Sequence, residues 1–205
     1  MSYLKKYQWE LVPINLPIVR RNCPKCDEKS RYINTERFRV NANKNNIDVW
    51  LIYQCEKCKS TWNMTIYERT KPCDISKDEY EKFLSNDKEL ARKYAFNISI
   101  YNKNKAEIIL EDVNYEVIQK ELEAYCINKN ELIIEIVCKN PIEVRVDKLL
   151  SDKLGISRSQ IKKMNKKGVI AIKDDENSLN AKVKNGMEIR ILKIVKNIDI
   201  LEDIV

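Results

Sequence analysis

Alternating apolar and polar positions predict β-strands in the first third of the chain. Phe38 and Val40 alternate with arginines, and Trp62, Met64 and Ile66 alternate with polar residues in the same way. Successive side chains of a strand point to opposite faces, so each run has one apolar face and one polar face. We therefore predict a hairpin with a third strand in this region.

Helical spacing replaces this alternation in the middle of the chain. Ser76 and Glu79 have the spacing of a capping box, and apolar residues then recur at helical intervals as far as Tyr94. Asn86 and Asp87 are expected to divide this stretch into two helices. Three later apolar runs, at 107–110, 114–118 and 131–137, predict either strands or short helical pieces, because periodicity alone does not decide between them.

The last third of the chain predicts two helices followed by two strands. Asp147 is expected to cap the first helix, which ends near Leu154. Ser157 and Gln160 form a second capping box, and Gly168 ends the helix that begins there. The chain has three glycines, so each is expected to mark a backbone position that a side chain would strain. Apolar runs at 169–172 and 187–192 predict the strands, which should pack under both helices.

Composition narrows the function more than the fold. The chain has 205 residues and no histidine, which excludes Ser-His-Asp catalysis, Cys-His catalysis and histidine-ligated catalytic zinc. We therefore predict that the protein is not an enzyme. No apolar run has the length of a membrane span, and the first residues lack the apolar stretch of a secretory signal. These features predict a cytoplasmic protein without a membrane partner.

Charge is distributed unevenly along the chain, whose net charge is +7. Residues 1–75 carry +6 and residues 142–196 carry +7, whereas residues 76–141 and the tail 197–205 each carry −3. A local basic excess favours phosphate binding, because it releases condensed counterions from a nucleic acid. The alternative interpretation is a lysine-rich surface that is simply solvated.

Four cysteines have the spacing of a metal site. Cys23 and Cys26 form one Cys-x-x-Cys pair, and Cys55 and Cys58 form another. Each pair can offer two thiolates to one ion, and two pairs complete the tetrahedral coordination that suits zinc. Four sulfur ligands leave no open position, so the sequence predicts a structural Zn2+ rather than a catalytic one.

Two alternatives for these cysteines are a pair of disulfides and a redox centre. A chain expected in the cytoplasm disfavours disulfides, and a redox centre needs one Cys-x-x-Cys pair rather than two matched pairs. Cys138 lies in an apolar run and is expected to be a small buried residue. Cys73 follows Pro72 and lacks a partner at ligand spacing, so its role is left open.

These patterns together predict an α+β fold in four segments. The segments are an N-terminal β zinc ribbon (1–75), a mixed, partly helical scaffold (76–141), a small C-terminal two-helix-plus-sheet module (142–196) and an acidic tail (197–205). Pro141 marks the linker into the C-terminal module.

The second helix of the C-terminal module carries a stripe of basic residues. Arg158, Lys162 and Lys166 are spaced by four, so they lie on one helix face. A cationic stripe opposite an apolar face can follow the phosphates of a nucleic acid. The module has no aromatic residue, so recognition of folded RNA by its shape is favoured over base stacking. This hypothesis requires cations that face solvent and are not neutralised by acidic neighbours.

The same segment resembles the αL-type RNA-binding domain that is named for small-subunit ribosomal protein S-four. The shared pattern is Arg145-x-Asp147-x-x-Leu150, followed by Ser157-Arg158, by Gly168 and by a Lys-x-Gly186 turn. The resemblance implies an αL-type module of two helices over a small sheet, which binds structured RNA such as ribosomal RNA or tRNA. It implies that five residues lie on the RNA side: Arg145, Ser157, Arg158, Lys162 and Lys166.

The chain as a whole is similar to a bacterial family known as domain of unknown function 1062. The similarity rests on the paired cysteines of the N-terminal half, with Trp50 and Trp62 on either side of the second pair. It implies a protein that carries a zinc ribbon, and it implies no activity.

Three functional hypotheses follow from the sequence. The leading one is a non-enzymatic RNA-binding protein in which the C-terminal module contacts structured RNA. The second is a protein-interaction adaptor in a transcription or ribosome-assembly complex, with its contacts on the ribbon or on the acidic middle segment. The third is an enzyme that uses cysteine, lysine or carboxylate groups of the middle segment, for which a deep pocket with converging titratable groups would be the sign.

Overall fold

The computed structural model of the chain describes residues 5–43, 45–122, 131–173 and 178–192. The chain divides into two compact units, one of residues 1–14 with 114–205 and one of residues 15–113. We call the first the terminal unit and the second the inserted unit, because residues 15–113 interrupt the terminal unit in sequence. The boundaries of the four segments predicted from the sequence follow changes in composition, and they differ from the boundaries of these two units.

The described residues form ten strands and five α-helices. The strands are β1 (Lys5–Pro13), β2 (Ile18–Cys23), β3 (Glu28–Asn43), β4 (Asn46–Cys55), β5 (Thr61–Thr70), β6 (Glu107–Ile109), β7 (Tyr115–Leu122), β8 (Glu131–Val137), β9 (Ile170–Ile172) and β10 (Glu188–Leu192). The helices are α1 (Lys77–Ser85), α2 (Lys88–Ala95), α3 (Ile98–Lys103), α4 (Val146–Leu154) and α5 (Arg158–Lys166). In this part of the chain, no helix is long and apolar enough to cross a membrane.

The inserted unit is built on an antiparallel sheet with the order β5-β4-β3-β2-β6. Its inward strand face meets the helices through aromatic side chains. The ring centroids of Phe38 and Phe83 lie 4.9 Å apart in an edge-on arrangement, and Tyr94 stacks on Phe83 at 5.7 Å. Aromatic pairs of this geometry add to the stabilisation that burial alone provides. The hydroxyls of Tyr53 and Tyr101 form a buried hydrogen bond of 2.8 Å deeper in the same core.

The terminal unit is built on a mixed sheet with the order β7-β1-β8-β10-β9. β1 and β8 pair in parallel, and the other neighbours are antiparallel. Trp9 of β1 shares one buried core with residues from both helices and from the later strands. Leu149, Leu150 and Ile161 in that core have no exposed surface. The apolar faces of α4 and α5 are therefore the faces that cover this sheet.

The fold class predicted from the sequence is wrong. The chain is mostly β, with two five-stranded sheets, and the described residues show no separate C-terminal module of two helices and a small sheet. β9 and β10 have only three and five residues, and β10 pairs with β8, which in turn pairs with β1. Two such short strands are marginal by themselves, so they complete a sheet that uses both ends of the chain. Cys23 and Cys55, the first cysteines of the two pairs, likewise end strands of a full five-stranded sheet rather than of a small ribbon.

The helix ends follow their capping residues. Asn86 adopts the left-handed conformation after α1, and the Asp87 side chain accepts a hydrogen bond from the Leu90 N–H at the start of α2, so the predicted division into two helices is confirmed. Ser157 and Gln160 form the predicted capping box of α5. All three glycines have positive φ, as expected of positions that disfavour a side chain.

The predicted cap of α4 is wrong, although its predicted end at Leu154 is confirmed. Arg145 is the N-cap residue, and Asp147 lies in the first turn with its side chain fully buried. Asp147 therefore does not serve the backbone of its own helix. Its carboxylate instead accepts hydrogen bonds from two arginine side chains.

Candidate functional site

The two cysteine pairs form matching turns at neighbouring corners of the inserted unit's sheet. Cys23 ends β2 and Cys55 ends β4, and β3 lies between these strands. In each turn the residue after the second cysteine has positive φ and donates its N–H to the carbonyl of the first cysteine. The two bonds are Asp27 to Cys23 at 2.9 Å and Lys59 to Cys55 at 3.0 Å. Because β3 and β4 are antiparallel, the start of β3 lies beside the end of β4 and the two turns meet.

The four cysteine sulfurs have the spacing of a tetrahedral metal site. All four lie within 4.8 Å of one another. The Sγ atoms of Cys23 and Cys58 are 3.5 Å apart, and those of Cys26 and Cys55 are 3.9 Å apart. Zinc–sulfur bonds of about 2.3 Å in a tetrahedron place the sulfurs about 3.8 Å apart. These cysteines lie close together and can hold a metal ion, as the sequence predicted.

Side chains around the sulfurs favour the thiolate form at one side of the cluster. The Ser60 hydroxyl lies 3.3 Å from the Cys23 Sγ and 3.0 Å from the Cys58 Sγ. Hydrogen bonds from Ser60 and then from Tyr32 lower the pKa of the Cys23 thiol to about 5. Contact with Cys58, together with burial, raises the pKa of the Cys26 thiol to about 12. The four sulfurs therefore resist ionising together, and a divalent cation between them removes that resistance.

The disulfide alternative does not fit this geometry. A disulfide bond is about 2.05 Å long, and the closest cysteine sulfurs here are 3.5 Å apart. None of the six cysteines among the described residues forms a disulfide. Cys73 is exposed and its thiol donates to the Asp74 side chain next to it, and Cys138 is half-buried with its thiol donating to the Asn140 carbonyl. Neither lies in the cluster.

The second candidate site is a pair of arginines that share one carboxylate in the terminal unit. Arg145 donates to both oxygens of Asp147, with distances of 3.1 Å and 3.0 Å. Arg158 donates twice to Asp147 Oδ2, with distances of 3.1 Å and 2.8 Å. Arg145 also bonds to the Asn180 side chain. Arg145 and Arg158 were expected on the RNA side without acidic neighbours, and they are instead ion-paired.

This arrangement leaves a positive surplus at the surface. The Asp147 side chain is fully buried, whereas those of Arg145 and Arg158 are 42 % and 47 % exposed. Burial raises the pKa of Asp147, but the hydrogen bonds and charges of Arg158 and Arg145 outweigh it, so the net pKa is lowered. The carboxylate thus stays ionised at neutral pH, and two cations share one negative charge.

Of the three other predicted RNA-side residues, Ser157 is the N-cap of α5, and Lys162 and Lys166 lie on that helix. Lys162 and Lys166 are exposed and, within the described residues, have no carboxylate within 4.0 Å. Ser157 is also exposed, but its hydroxyl is engaged with Gln160 in the capping box. Among the described residues, the stripe therefore consists of one ion-paired arginine and two lysines without a carboxylate partner, and its members are about one helical turn apart.

Sequence reasoning missed three residues at the cysteine cluster: Arg21, Tyr32 and Ser60. Arg21 lies two positions before Cys23 in β2, so it shares the face of that cysteine. Its guanidinium carbon lies 4.3 Å from the centroid of the Trp62 ring. The period-two rule could have found Arg21, whereas Tyr32 reaches Cys23 only through strand pairing, which no local pattern encodes.

Comparison with known proteins identifies a family and no activity. Residues 40–176 match the family model described as "Protein of unknown function (DUF1062)", which spans 137 of the 205 residues. The matched range contains Cys55 and Cys58 and leaves out Cys23 and Cys26. No curated protein and no solved structure matches the chain. The resemblance to the αL-type RNA-binding domain gains no support from these comparisons.

Proposed function

The chain belongs to the DUF1062 family of proteins of unknown function, and we propose that it is a non-enzymatic RNA-binding protein. Phosphate groups of structured RNA are held by basic side chains of α4 and α5 in the terminal unit. The cysteine cluster of the inserted unit holds one structural zinc ion. The observation that carries the RNA proposal is the pair of exposed lysines on α5, Lys162 and Lys166, which have no carboxylate within 4.0 Å among the described residues.

A shared carboxylate fixes the arginines without cancelling their charge. Each guanidinium uses its Nε and Nη2 atoms toward Asp147. Within the described residues neither Nη1 group has an acceptor, so each arginine keeps a donor for a phosphate oxygen. Because the side chains are already oriented before binding, less side-chain conformational entropy is lost when a ligand binds. A hydrogen bond from a charged Nη1 group to a phosphate oxygen is stronger than one between neutral groups.

The surrounding charge supports a polyanionic partner. From Arg145 to Lys167 the chain has eight basic and two acidic residues, which gives a local charge of +6. Four of the basic residues, Lys162, Lys163, Lys166 and Lys167, are exposed on or just after α5. Such a surface binds phosphates through counterion release, with an affinity that falls steeply as salt rises. The described residues of this surface include no aromatic side chain, which favours RNA shape over base stacking.

The test is RNA binding by a lysine variant of the stripe. We expect Lys162→Ala with Lys166→Ala to weaken binding of a fluorescent RNA hairpin by about tenfold at 0.1 M salt. The plot of log affinity against log salt should flatten by about 1 to 2, one for each phosphate that a lysine no longer neutralises. Fluorescence anisotropy across a salt series measures both quantities.

The matched control removes two exposed lysines elsewhere. Lys71 and Lys88 lie in the inserted unit and have no carboxylate within 4.0 Å among the described residues. Lys71→Ala with Lys88→Ala lowers the net charge by the same amount and should leave affinity nearly unchanged. Equal binding by the two double variants would remove the α5 stripe from the interface. A DNA hairpin of the same sequence should bind more weakly than the RNA hairpin.

The zinc part of the proposal rests on the donor set. Four thiolates at tetrahedral spacing suit zinc and leave no position for water or substrate. When bound, the ion would supply folding free energy to the inserted unit rather than a reaction centre. Cys23, Cys26, Cys55 and Cys58 would be its ligands, and Ser60 and Tyr32 would orient the Cys23 sulfur.

A further inference from the structure

Arg21 is a half-buried cation beside the cysteine cluster that has no acidic partner among the described residues. Its guanidinium carbon lies 4.3 Å from the centroid of the Trp62 ring and 5.9 Å from that of the Tyr32 ring. Within the described residues, no carboxylate oxygen lies within 4.0 Å of this guanidinium. A charge that is partly withdrawn from water is unfavourable unless an opposite charge compensates it. The surroundings of Arg21 therefore have to supply negative charge from another source.

Strand alternation places Arg21 on the face that carries the cysteine sulfurs. Arg21 and Cys23 are two positions apart in β2, so both side chains lie on the inward face of the sheet. Tyr32 is on the same face of β3, and its hydroxyl is in hydrogen-bond contact with Cys23 and Ser60. The guanidinium of Arg21 therefore lies over a ring that itself contacts the cluster.

The charge of Cys23 acts on Arg21. Burial lowers the pKa of the Arg21 guanidinium, whereas Tyr32 and Cys23 raise it by a smaller amount. Without a metal the cluster cannot supply its full negative charge, because the pKa of the Cys26 thiol is raised to about 12. Four thiolates around one divalent ion carry two net negative charges, so metal binding provides the anion that Arg21 lacks.

Three lysines near the cluster are less suited to balance this charge. Lys57 forms an ion pair with Glu28 at 2.6 Å. Lys25 and Lys29 are exposed, so water and salt screen their charges. Arg21 differs from all three lysines because it is half-buried and, in the described part of the chain, no carboxylate neutralises it.

We propose that Arg21 is the counter-cation of the metal–thiolate cluster and strengthens its hold on the metal. Its positive charge stabilises the bound thiolates, and the rings of Trp62 and Tyr32 keep the guanidinium in place. Arg21 acts on the ligands and is not itself a ligand. The inference rests on the zinc site of the proposed function and is independent of RNA binding by α5.

The zinc affinity of the full-length protein tests this role. Competition with a chromogenic chelator measures it for the unaltered protein and for each variant. We expect Arg21→Met to bind zinc about tenfold more weakly, which is the size of effect that residues around metal ligands have. Arg21→Lys keeps the charge and should bind zinc nearly as tightly as the unaltered protein. Arg20→Met is the matched control, because it removes the same charge from the opposite, exposed face of β2, and it should leave the affinity nearly unchanged.

Cobalt(II) in place of zinc gives a readout that packing alone does not move. Cobalt bound to thiolates absorbs light by transfer of an electron from sulfur to the metal. A positive charge beside the sulfur lowers the energy of its lone-pair electrons, so Arg21→Met should shift this absorption band to lower energy. Arg21→Lys should keep the band close to its position in the unaltered protein.

A second neutral variant and a folding check keep the test decisive. The indole N–H signals of Trp9 and Trp62 in the NMR spectrum show whether each metal-loaded variant is folded. Arg21→Gln replaces Arg21→Met if the latter does not fold. A neutral variant that binds zinc as tightly as Arg20→Met overturns the proposal, and so does an Arg21→Lys variant that loses as much affinity as the neutral ones.

The failure of this inference can be told apart from the failure of the zinc site. Normal zinc binding with equal affinity in the neutral variants overturns the counter-cation role alone. Absence of zinc binding by the unaltered protein overturns the zinc site, and the role of Arg21 with it.

Discussion

Asp147 is the single side chain that holds Arg145 and Arg158 together in the terminal unit. It is fully buried and accepts four hydrogen bonds, two each from Arg145 and Arg158. A sequence interpretation based on capping assigns it to the helix backbone, because aspartate at that position usually serves there. The cap was predicted wrongly because the burial of Asp147 and its contact with Arg158 of the next helix depend on tertiary packing, which a local sequence pattern does not show.

Replacing Asp147 with asparagine tests this role. We expect Asp147→Asn to lower the free energy of unfolding at pH 7 by about 2 kcal/mol, since two half-exposed arginines lose a charged acceptor. The folded-state pKa of Asp147 lies below its unfolded value of about 3.9. Its stabilising contribution is therefore present above about pH 4 and is lost as pH falls through the folded-state pKa.

The measurement is urea unfolding of both proteins at pH 7 and at pH 3. The gap between the unaltered protein and Asp147→Asn should shrink at the lower pH, because pH 3 lies below the unfolded-state pKa and the carboxylate's contribution falls as pH drops toward the folded-state pKa. Asp152→Asn is the control, because Asp152 lies on the exposed side of the same helix. An equal loss for the two variants would contradict a special role of Asp147.

The cysteine cluster shows which residues of a site can be predicted from sequence and which cannot. The spacing of Cys23, Cys26, Cys55 and Cys58 was enough to predict that they meet. Ser60 was not predicted, because a serine near a cysteine has no recognisable spacing. The four ligands could be predicted because a metal site requires a characteristic spacing of cysteines in the sequence. The residues around them, such as Ser60, are brought there by the fold and have no fixed spacing from the cysteines.

Among the features of the helices and strands, the helix ends are the ones that the local sequence of this chain predicts best. The capping box of Ser157 and Gln160 and the division into two helices at Asn86 and Asp87 are confirmed at their predicted positions. The apolar runs near 107, 115 and 131, which periodicity left undecided, are all strands. They became strands because each finds a strand partner far away in sequence, as β6 does in β2.

A variant of the α5 cap separates its structural role from RNA binding. Aspartate caps helices about as well as serine, so Ser157→Asp should keep the stability of the protein within about 0.5 kcal/mol. It adds a negative charge one residue before Arg158, which should weaken binding of the RNA hairpin several-fold. Thermal unfolding and fluorescence anisotropy measure the two effects.

The comparison variant for this cap is Ser157→Ala. It should destabilise the protein by about 1 kcal/mol through loss of the cap, with little effect on RNA binding by the folded protein. Unchanged RNA affinity in Ser157→Asp would place the phosphate contact away from the start of α5.

At the scale of the molecule, the sequence did not predict the terminal unit. β1 and β8 are parallel neighbours although more than a hundred residues separate them, and residues 15–113 lie between β1 and β7. Local periodicity carries no information about which strands pair over such a distance. This is why the last two strands were expected to form a small module, when they belong to a sheet that begins at Lys5.

Metal removal tests both the cysteine cluster and the division into units. We expect about one zinc ion per chain, and Cys55→Ser should abolish stoichiometric binding, whereas Cys73→Ser should retain it because Cys73 lies outside the cluster. The metal should stabilise the inserted unit, since all four ligands lie within residues 15–113. Elemental analysis and chelator titration give the stoichiometry.

Tryptophan signals then report which unit responds to chelation. Trp62 lies in the inserted unit beside Arg21, and Trp9 lies in the terminal unit with its indole N–H donated to the Gln119 side chain at 2.8 Å. Each belongs to a core formed by residues of its own unit. Chelation should therefore change the Trp62 indole signal at metal-to-chelator equivalence while the Trp9 signal keeps its folded position. Simultaneous loss of both signals would mean that the units unfold as one cooperative structure, and loss of neither would mean that the four sulfurs do not depend on a metal.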